Sequence, residues 1–274
     1  MMHQPDHDRK LPTITAAELL RAYDDDLRTE AEVVGAASVT REGPLWIAVY
    51  SSGRGFVTYR DLGNADSCEI ARLVAFAREY FERDTRVQKA EWKTRGHDAA
   101  PGLHEALVAN GFVPDEPESV MVGRAEGLAG EVPLPAGVTL RNIRSEADVR
   151  AMCDLQDRVF GDVASEDWTT ELIERAASDD AFQLWVAEAN GEMVSSGRLE
   201  PIPGTAFAGL WGGGTLSEWR GKGIYRALTA ARARAALSLG RTLLHSDSTE
   251  FSRPILERSG MVKVTTTTPY IWRR

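Results

Sequence analysis

The order of apolar and polar residues is clearest in the second half of the chain, where it predicts alternating strands and helices. Apolar residues at every second position predict a strand, and a spacing of three or four predicts an amphipathic helix. The predicted order is strand, two helices, three strands, long helix, strand, short helix and strand. These segments are residues 137–143, 145–160, 166–177, 182–189, 192–200, 206–215, 221–239, 241–247, 253–259 and 262–266. This order predicts an α/β protein with a mixed sheet.

Part of this order also occurs in the first half, which indicates an internal duplication. A strand at 87–93, a short helix that Gly111 closes and a strand at 118–122 match the arrangement around Gly260, 149 residues further on. Between the halves, residues 123–137 contain four glycines and two prolines. Their apolar residues show neither the spacing of a strand nor that of a helix, which is typical of a linker. The predicted division is a first domain over 1–123, a linker over 124–137 and a second domain over 138–274.

Composition narrows the class of protein. Acidic residues outnumber basic ones, 41 to 32, so the chain lacks the positive charge with which general nucleic-acid binders neutralise phosphates. No apolar run reaches the ~20 residues of a membrane span, and residues 1–10 lack the apolar core of a signal peptide. Two cysteines, Cys68 and Cys153, are too few for a disulfide framework or a zinc site. We therefore expect a cytoplasmic protein with no metal and no nucleic-acid or membrane partner.

The loop before the long predicted helix, WGGGTLSEWRGKGIYR at 211–226, has the composition of an anion site. Amide groups at a helix N-terminus have no partner within the helix and favour an anion. Gly221 and Gly223 allow a phosphate to approach the backbone, and Arg220 and Lys222 add positive charge. The run is not a Walker A loop, and it lacks the third glycine of the dinucleotide-binding fingerprint. By itself, a Gly-x-Gly before a helix often makes only a tight turn.

The residues from Arg220 to Tyr225, RGKGIY, resemble the Q/R-x-x-G-x-G/A signature of the GNAT N-acetyltransferase superfamily. The resemblance extends over about 138–272 and departs from the signature at Tyr225, where the family has a small residue. It implies acetyl-CoA as the co-substrate, with the pyrophosphate on this loop and the pantetheine along the preceding strand. The binding residues that it implies are Gly213, Thr215, Arg220, Gly221, Lys222, Gly223, Ile224, Tyr225 and Ser252.

The three consecutive glycines Gly212, Gly213 and Gly214 form a poor strand, because glycine offers no side chain to pack. Glycine within a strand is typical of a bulge or of a ligand that approaches the backbone closely. In the family this strand bulges, and its amides bind the pantetheine and the oxyanion of the tetrahedral intermediate. The resemblance implies the same role near Gly213 and Thr215. A flexible triple-glycine loop is the alternative.

The first half has no counterpart of the basic loop. The predicted strand at 55–59 is followed by acidic residues, DLGNAD at 61–66, and by a predicted helix at 67–83. Phosphate binding requires positive charge at such a place. The whole chain therefore resembles tandem GNAT proteins in which the first module is degenerate. The implied fold class is α/β, with two GNAT-like domains that each contain a mixed, mostly antiparallel sheet flanked by helices.

Acetyl transfer to an amine requires a group that removes a proton, because an alkylammonium has a pKa near ~10.4. We predict that Asp247, toward the end of the strand after the long helix, takes this proton through water. Glu200, at the end of a neighbouring strand, and His245, on the same face as Asp247, are the alternatives, and a structural role is open for each. Tyr270 and Trp272 either wall the acceptor pocket or pack in the core.

At the position where the family often has a tyrosine as general acid, this chain has Leu256. The resemblance implies an N-acyltransferase that moves an acetyl group to the amine of a small molecule or peptide by direct attack in a ternary complex. We expect a monomer or a homodimer. A non-catalytic acyl-CoA-binding or sensor protein is the first alternative, because neither acid nor base is assured. An interaction module built as a pseudo-dimer is the second.

Overall fold

The computed structural model describes residues 14–161 and 165–274. Residues 1–10, the segment in which the sequence shows no signal peptide, lie outside the described residues. The regular elements of the first half are α1 (Ala16–Asp26), β1 (Ser38–Glu42), β2 (Leu45–Val49), β3 (Arg54–Thr58), α2 (Ser67–Arg83), β4 (Lys89–Arg95), α3 (Leu103–Ala109), β5 (Val113–Pro114), β6 (Glu118–Arg124) and α4 (Ala125–Leu128).

The second half follows the order predicted from the sequence. Its elements are β7 (Val138–Ile143), α5 (Glu146–Phe160), α6 (Glu166–Ser178), β8 (Gln183–Ala189), β9 (Glu192–Pro201), β10 (Phe207–Thr215), α7 (Ile224–Ser238), β11 (Leu243–Ser248), α8 (Arg253–Arg258) and β12 (Val262–Arg273). Predicted ends agree to within three residues except in β12, which continues seven residues beyond the predicted Thr266. α7 begins three residues late because Gly221 and Gly223 adopt φ values of +74° and +81°, outside the helical region.

All the strands within residues 14–161 and 165–274 belong to one sheet. Its order is β1-β2-β3-β4-β12-β6-β11-β10-β9-β8-β7, with β5 paired to β12. Neighbours are antiparallel except for β3 with β4 and β10 with β11, which are parallel. One parallel pair therefore lies in each half, and the sheet is mixed and mostly antiparallel. This confirms the predicted fold class.

The middle of the sheet is made by an exchange of strands between the halves. β6, from the first half, pairs with β11 and β12 of the second half. β12, from the second half, pairs with β4 and β5 of the first. The segment predicted as a linker contains α4, which packs on α7, and Arg234 of α7 donates hydrogen bonds to the carbonyls of Ala129 and Gly130. The two halves thus share one sheet, and the boundary at 124–137 stays a prediction.

α7 packs closely against the strands β8, β9 and β10. Its buried face consists mainly of alanines, which favour the helix and leave room for close approach of the sheet. Arg232 is only 1% exposed, and its Nη1 donates to the carbonyl of Arg198 on β9 at 3.1 Å. This packing fixes the N-terminus of α7 next to the end of β10. Among the described helices, none is long and apolar enough to cross a membrane.

Candidate active site

The parallel strands β10 and β11 pair only over their first residues. The register joins residues 207–209 to residues 243–245, and Ser246 Oγ donates a hydrogen bond to the carbonyl of Leu210 at 2.9 Å. Beyond this point, the register of β10 with β9 shifts between Trp211 and Gly214. The bulge predicted from the glycine run is therefore present. It leaves the β11 side of β10 without a strand partner, as a gap between the two parallel strands.

The glycines of the bulge are required by the side chains packed on them. A Cβ on Gly213 would lie 2.9 Å from Cε2 of Tyr225, and a Cβ on Gly214 would lie 2.7 Å from Cγ1 of Val159. Both distances are shorter than ordinary carbon contacts of about 3.5–4.0 Å. Gly212 also has a φ of +56°, which favours glycine. The surroundings of the bulge thus leave space for the backbone alone.

The loop between β10 and α7 presents an uncapped helix N-terminus. Gly223 is the N-cap residue, and no side chain accepts a hydrogen bond from the first-turn amides. The loop is tied back to β10 by Arg220, whose Nε donates to the carbonyl of Thr215 at 3.0 Å. Lys222 is not placed on the gap, because its ammonium lies over the Trp219 ring, 4.5 Å from the centroid. The expectation that Lys222 contacts a phosphate stays a prediction.

A large cavity joins the gap to this loop. The first cavity has a volume of about 1020 Å³, and eight of the nine predicted binding residues line it, all except Lys222. Arg226 and Arg258 line it as well and were not predicted from the sequence. Phe160 and Phe251 stand at its wall, and Phe251 is 91% exposed. One part of the cavity is therefore basic and contains a helix N-terminus, and the rest follows the bulged strand.

Asp247 lines this first cavity and also a second cavity, which lies between the two halves of the chain. Its side chain is 6% exposed and forms an ion pair with Lys93 of the first half, with 2.5 Å between Nζ and Oδ2. The other oxygen, Oδ1, has no hydrogen-bond partner among the described residues. The same ammonium nitrogen, Nζ of Lys93, lies 3.3 Å from Oε1 of Glu32. Burial would lower the pKa of Lys93, but the charges of Asp247 and Glu32 outweigh it and raise that pKa.

The two alternatives to Asp247 line the second cavity and not the first. His245 contacts the rings of Tyr23, Phe207 and Trp211, and burial lowers its pKa to about 4, so the imidazole is neutral at pH 7. Glu200 accepts hydrogen bonds from Arg175 and Arg198. Burial would raise the pKa of Glu200, but the two guanidinium groups outweigh it and lower that pKa. A carboxylate held in this way is a weak base.

Glu118 is the residue of this region that the sequence interpretation missed. It is the first residue of β6 and lines both cavities, because the exchange places β6 next to β11, with Val120 opposite Asp247. Burial, with the nearby charge of Asp247, raises the pKa of Glu118 to about 7. The only sequence signal is an acidic residue that opens an otherwise apolar strand, ESVMV at 118–122. Nothing local connects it to the second half.

Comparison with known proteins identifies the fold. Residues 149–260, which include the bulge and the loop, match the model of the Acetyltransferase (GNAT) family. The chain is similar to a GCN5-related N-acetyltransferase from Kribbella flavida, with 18% identity over 93% of this chain and 94% of that one and a TM-score of 0.67. It is also similar to a tandem GNAT protein from the clavulanic acid biosynthesis pathway, with 14% identity, 95% and 97% coverage and a TM-score of 0.58. This chain has a tandem GNAT fold.

A third structure supports the same arrangement. A GCN5-related N-acetyltransferase from Sphaerobacter thermophilus is 15% identical over 84% of this chain and 76% of that one, with a TM-score of 0.62. A search of curated proteins found no match. The resemblance inferred from the sequence is thus confirmed as a GNAT fold. Identities this low do not extend to the activity.

In the first GNAT module, a buried arginine bridges the residues that follow the parallel strands β3 and β4. Arg28 of the segment after α1 is 2% exposed, donates to the carbonyl of Tyr59 just beyond β3 and pairs with Asp98 just beyond β4 at 2.7 Å. At the N-terminus of α2, the carboxylate of Asp66 accepts hydrogen bonds from the amides of Cys68 and Glu69. An anion would have to displace that carboxylate. The prediction of a first module without a CoA site is consistent with both features.

Tyr270 and Trp272 do not wall a pocket of the second GNAT module. Both belong to β12 and pack in the hydrophobic core of the first half, together with Trp92 and Phe112. The Tyr270 hydroxyl lies 2.8 Å from Nδ1 of His104 on α3. The strand exchange explains the difference, because β12 pairs with β4. The interpretation of these residues as pocket walls is therefore wrong, and the core alternative is correct.

Proposed function

We propose that this protein transfers an acetyl group from acetyl-CoA to a primary amine by direct attack in a ternary complex. The observation that carries the proposal is the gap between β10 and β11, which ends at the uncapped N-terminus of α7. The match of residues 149–260 to the acetyltransferase family supports it. A long thiol ester with a charged end fits a cavity that has arginines at one part and runs along the bulged strand.

The residues of the first cavity divide the binding of acetyl-CoA between charge and shape. Arg220, Arg226, Arg258 and the amides after Gly223 supply positive charge for phosphate oxygens. The backbone from Gly213 to Thr215 supplies hydrogen-bonding groups along the gap. When bound, acetyl-CoA contributes the activated carbonyl. Amides of the bulge then stabilise the oxyanion that develops on that carbonyl, a contribution commonly of about 2.7–4 kcal/mol per donor.

Departure of the thiol does not depend on a tyrosine at position 256. Leu256 is 1% exposed and belongs to the hydrophobic core, so nothing polar occupies the family's usual acid position. A thiol with a pKa near ~8.5 leaves readily as an anion close to neutral pH. Tyr225 lines the cavity, and burial raises the pKa of its hydroxyl, which keeps it protonated. Its phenol is therefore able to donate a hydrogen bond there.

The test of the proposal compares two glycine variants that both have a positive φ. Gly223→Asp places a carboxylate at the helix N-terminus, and Gly204→Asp places one in the turn between β9 and β10, at a residue that lines neither cavity and where a Cβ meets nothing within 4 Å. We expect calorimetry to show one acetyl-CoA site in the wild type and in Gly204→Asp, and none in Gly223→Asp. Equal affinity in all three proteins would contradict the assigned loop.

Turnover separates the proposed enzyme from the alternative of an acyl-CoA-binding sensor. Release of CoA thiol in the presence of primary amines is expected of the enzyme. Tight acetyl-CoA binding without release for any amine would favour the sensor. The ion pair between Asp247 and Lys93 is the observation that favours the sensor, because the carboxylate predicted to act as the base is already bound to an ammonium group.

A further inference from the structure

A second cavity, of about 520 Å³, lies between the two halves and borders the first cavity. Trp211, Glu118 and Asp247 line both. The remaining wall comes from both halves, with Glu32 and Tyr50 from the first and Trp168 and Glu171 from the second among its residues. A volume of this size is typical of sites for small molecules. We call the three residues that line both cavities, Trp211, Glu118 and Asp247, the shared wall. A compound in the second cavity would contact the bulged strand only at this shared wall.

Several polar groups that line the second cavity are buried and have no partner. His245 is 7% exposed, and neither of its ring nitrogens forms a hydrogen bond within residues 14–161 and 165–274. Oδ1 of Asp247 and Oε2 of Glu171 are buried and unpartnered in the same sense. Buried polar groups in folded proteins are nearly always hydrogen-bonded. Three such groups around one cavity leave hydrogen-bonding capacity that a polar ligand entering the cavity can use.

The charge at the shared wall is negative. Glu118 and Asp247 are both carboxyl groups, and none of the basic residues in the described part of the chain lines both cavities. Asp247 is paired with Lys93, whereas Glu118 forms no ion pair with any residue that the structure describes. Glu91, on the second cavity, adds a further negative charge close to Glu118. Lys93, which also lines the second cavity, offsets the charge of Asp247, so the charges that remain beside the shared wall are those of Glu118 and Glu91, and they favour a positively charged group of a ligand there.

We propose that the second cavity binds the acceptor, a small primary amine, and that Glu118 of the first half accepts the proton of its ammonium group. This inference rests on the proposed function. The first half would then be part of the active site, in contrast to the expectation from the sequence that the second module works by itself.

The step is balanced as follows. One ammonium proton moves to the Glu118 carboxylate, directly or through water, and frees the nitrogen lone pair. That pair forms the N–C bond to the thiol ester carbonyl, the C–S bond breaks, and its electron pair leaves with sulfur. The second nitrogen proton then neutralises the thiolate, and Glu118 returns its own proton to water. The products are the N-acetyl amine and CoA.

Glu118 is better suited to this step than Asp247. A general base works best when its pKa is near the operating pH, and that of Glu118 is raised to about 7. Asp247 instead forms an ion pair with Lys93. The charge of Asp247 also raises the pKa of Glu118. We therefore assign Asp247 a positioning role beside the base.

The location of the acceptor is tested with a bisubstrate probe, CoA whose sulfur carries –CH2–CO–NH–(CH2)4–NH3+. Its amide nitrogen takes the place of the attacking amine. We expect the probe to bind the wild type at least tenfold more tightly than CoA. Ala31→Trp, which fills the second cavity from its wall, should abolish this gain and leave the affinity for CoA unchanged. Ala99→Trp, at an exposed loop position that lines neither cavity, is the control.

Each calorimetric result has a separate meaning. Failure of the wild type to bind CoA would contradict the proposed function. Binding of CoA with no gain for the probe, or a gain that survives in Ala31→Trp, would overturn the acceptor site and leave the proposed function intact.

The role of Glu118 is tested by Glu118→Gln, with Glu116→Gln in the exposed loop before β6 as the control. The acceptors are 1,4-diaminobutane, ethanolamine, glycinamide and lysine. We expect Glu118→Gln to lower kcat by roughly 10²- to 10⁴-fold at an unchanged affinity for CoA and to remove the rise of the rate through pH 7. Full turnover in Glu118→Gln would withdraw the assignment and leave the proposed function intact, whereas binding of CoA with no turnover of any of these amines by the wild type would contradict the proposed function together with the assignment.

Discussion

Gly213 is a position where the ring of Tyr225 occupies the space that a side chain would need. The Tyr225 ring packs on the bulge, 2.9 Å from the point that a Cβ would occupy. Three consecutive glycines are sufficient to predict a bulge, because they make a poor strand. They do not show what lies against the strand, since Tyr225 comes from the following helix and its direction depends on the fold of the loop.

We expect Gly213→Ala to weaken acetyl-CoA binding by at least tenfold. The added methyl group must displace either the Tyr225 ring or the backbone of the bulge, and both line the first cavity. Overpacking of this kind usually costs about 1–3 kcal/mol. Calorimetry measures the effect, with Gly130→Ala as the control because a Cβ there meets nothing within 4 Å. The same affinity in both variants would mean that the bulge adapts freely.

Glu118 gives a prediction about stability as well as about rate. Its pKa is about 7 in the folded protein and near ~4.3 in an unfolded chain. Between these values the folded state binds more protons than the unfolded state, so the stability that this group contributes falls as the pH rises. The neighbouring carboxyl groups of Asp247, Glu91 and Asp115 act in the same direction, and Lys93 opposes them.

Removing the charge should therefore help the fold at high pH. We expect the Tm of Glu118→Gln, relative to the wild type, to be higher at pH 8 than at pH 5. Thermal unfolding at both pH values, with Glu116→Gln as the reference, provides the measurement. A relative Tm that is the same at the two pH values would show that Glu118 titrates normally.

The two long helices that follow the parallel strands differ at their N-termini. α2 begins with the Asp66 carboxylate on its amides, and α7 begins with Gly223 and no side-chain cap. The sequence predicted an anion site before α7 and none before α2 from one basic and one acidic loop, whereas the Asp66 cap is seen only in the structure. The end of β12 was not predicted, because its last residues, including Tyr270 and Trp272, are held by β4.

Two adjacent residues of α8 face different surroundings, one the hydrophobic core and the other the first cavity. Leu256 is 1% exposed and lies in the core, whereas Ile255 lines the first cavity. We expect Leu256→Ala to lower the free energy of unfolding by about 2–5 kcal/mol with little effect on acetyl-CoA affinity below the Tm. Ile255→Ala should weaken acetyl-CoA binding at a smaller loss of stability. Denaturant unfolding and calorimetry on both variants test the pair, and a reversed pattern would exchange the two roles.

At the scale of the whole molecule, the halves are interdigitated. The sequence predicted two similar modules, because strand and helix patterns repeat locally. It did not predict the exchange of β6 and β12, since either strand has the same pattern whichever half it joins. The residues that this exchange brings to the site, Glu118 and Lys93, could not be recognised for the same reason. Only the pairing of segments that are distant in the sequence brings these two residues next to Asp247 and the cavities.

We expect that neither half folds by itself. Residues 138–274 would leave the position of β6 between β11 and β12 empty, and residues 1–137 would lack β12 next to β4. Each fragment, produced separately, should show no cooperative unfolding. Coexpressed fragments should copurify and bind acetyl-CoA, with the intact chain as the reference. A cooperative transition in residues 138–274 on their own would show that the exchanged strand is dispensable.

The position of β12 also has a consequence for synthesis of the protein. This strand is made after the other elements described above, yet it lies near the middle of the sheet, between β4 and β6. At ~5–20 residues per second, a ribosome needs on the order of ten seconds to proceed from β4 to β12. During that time, the nascent first half exposes open strand edges, which are sites of aggregation. The yield of this protein in cells should therefore depend on translation speed and on chaperones that shield those edges.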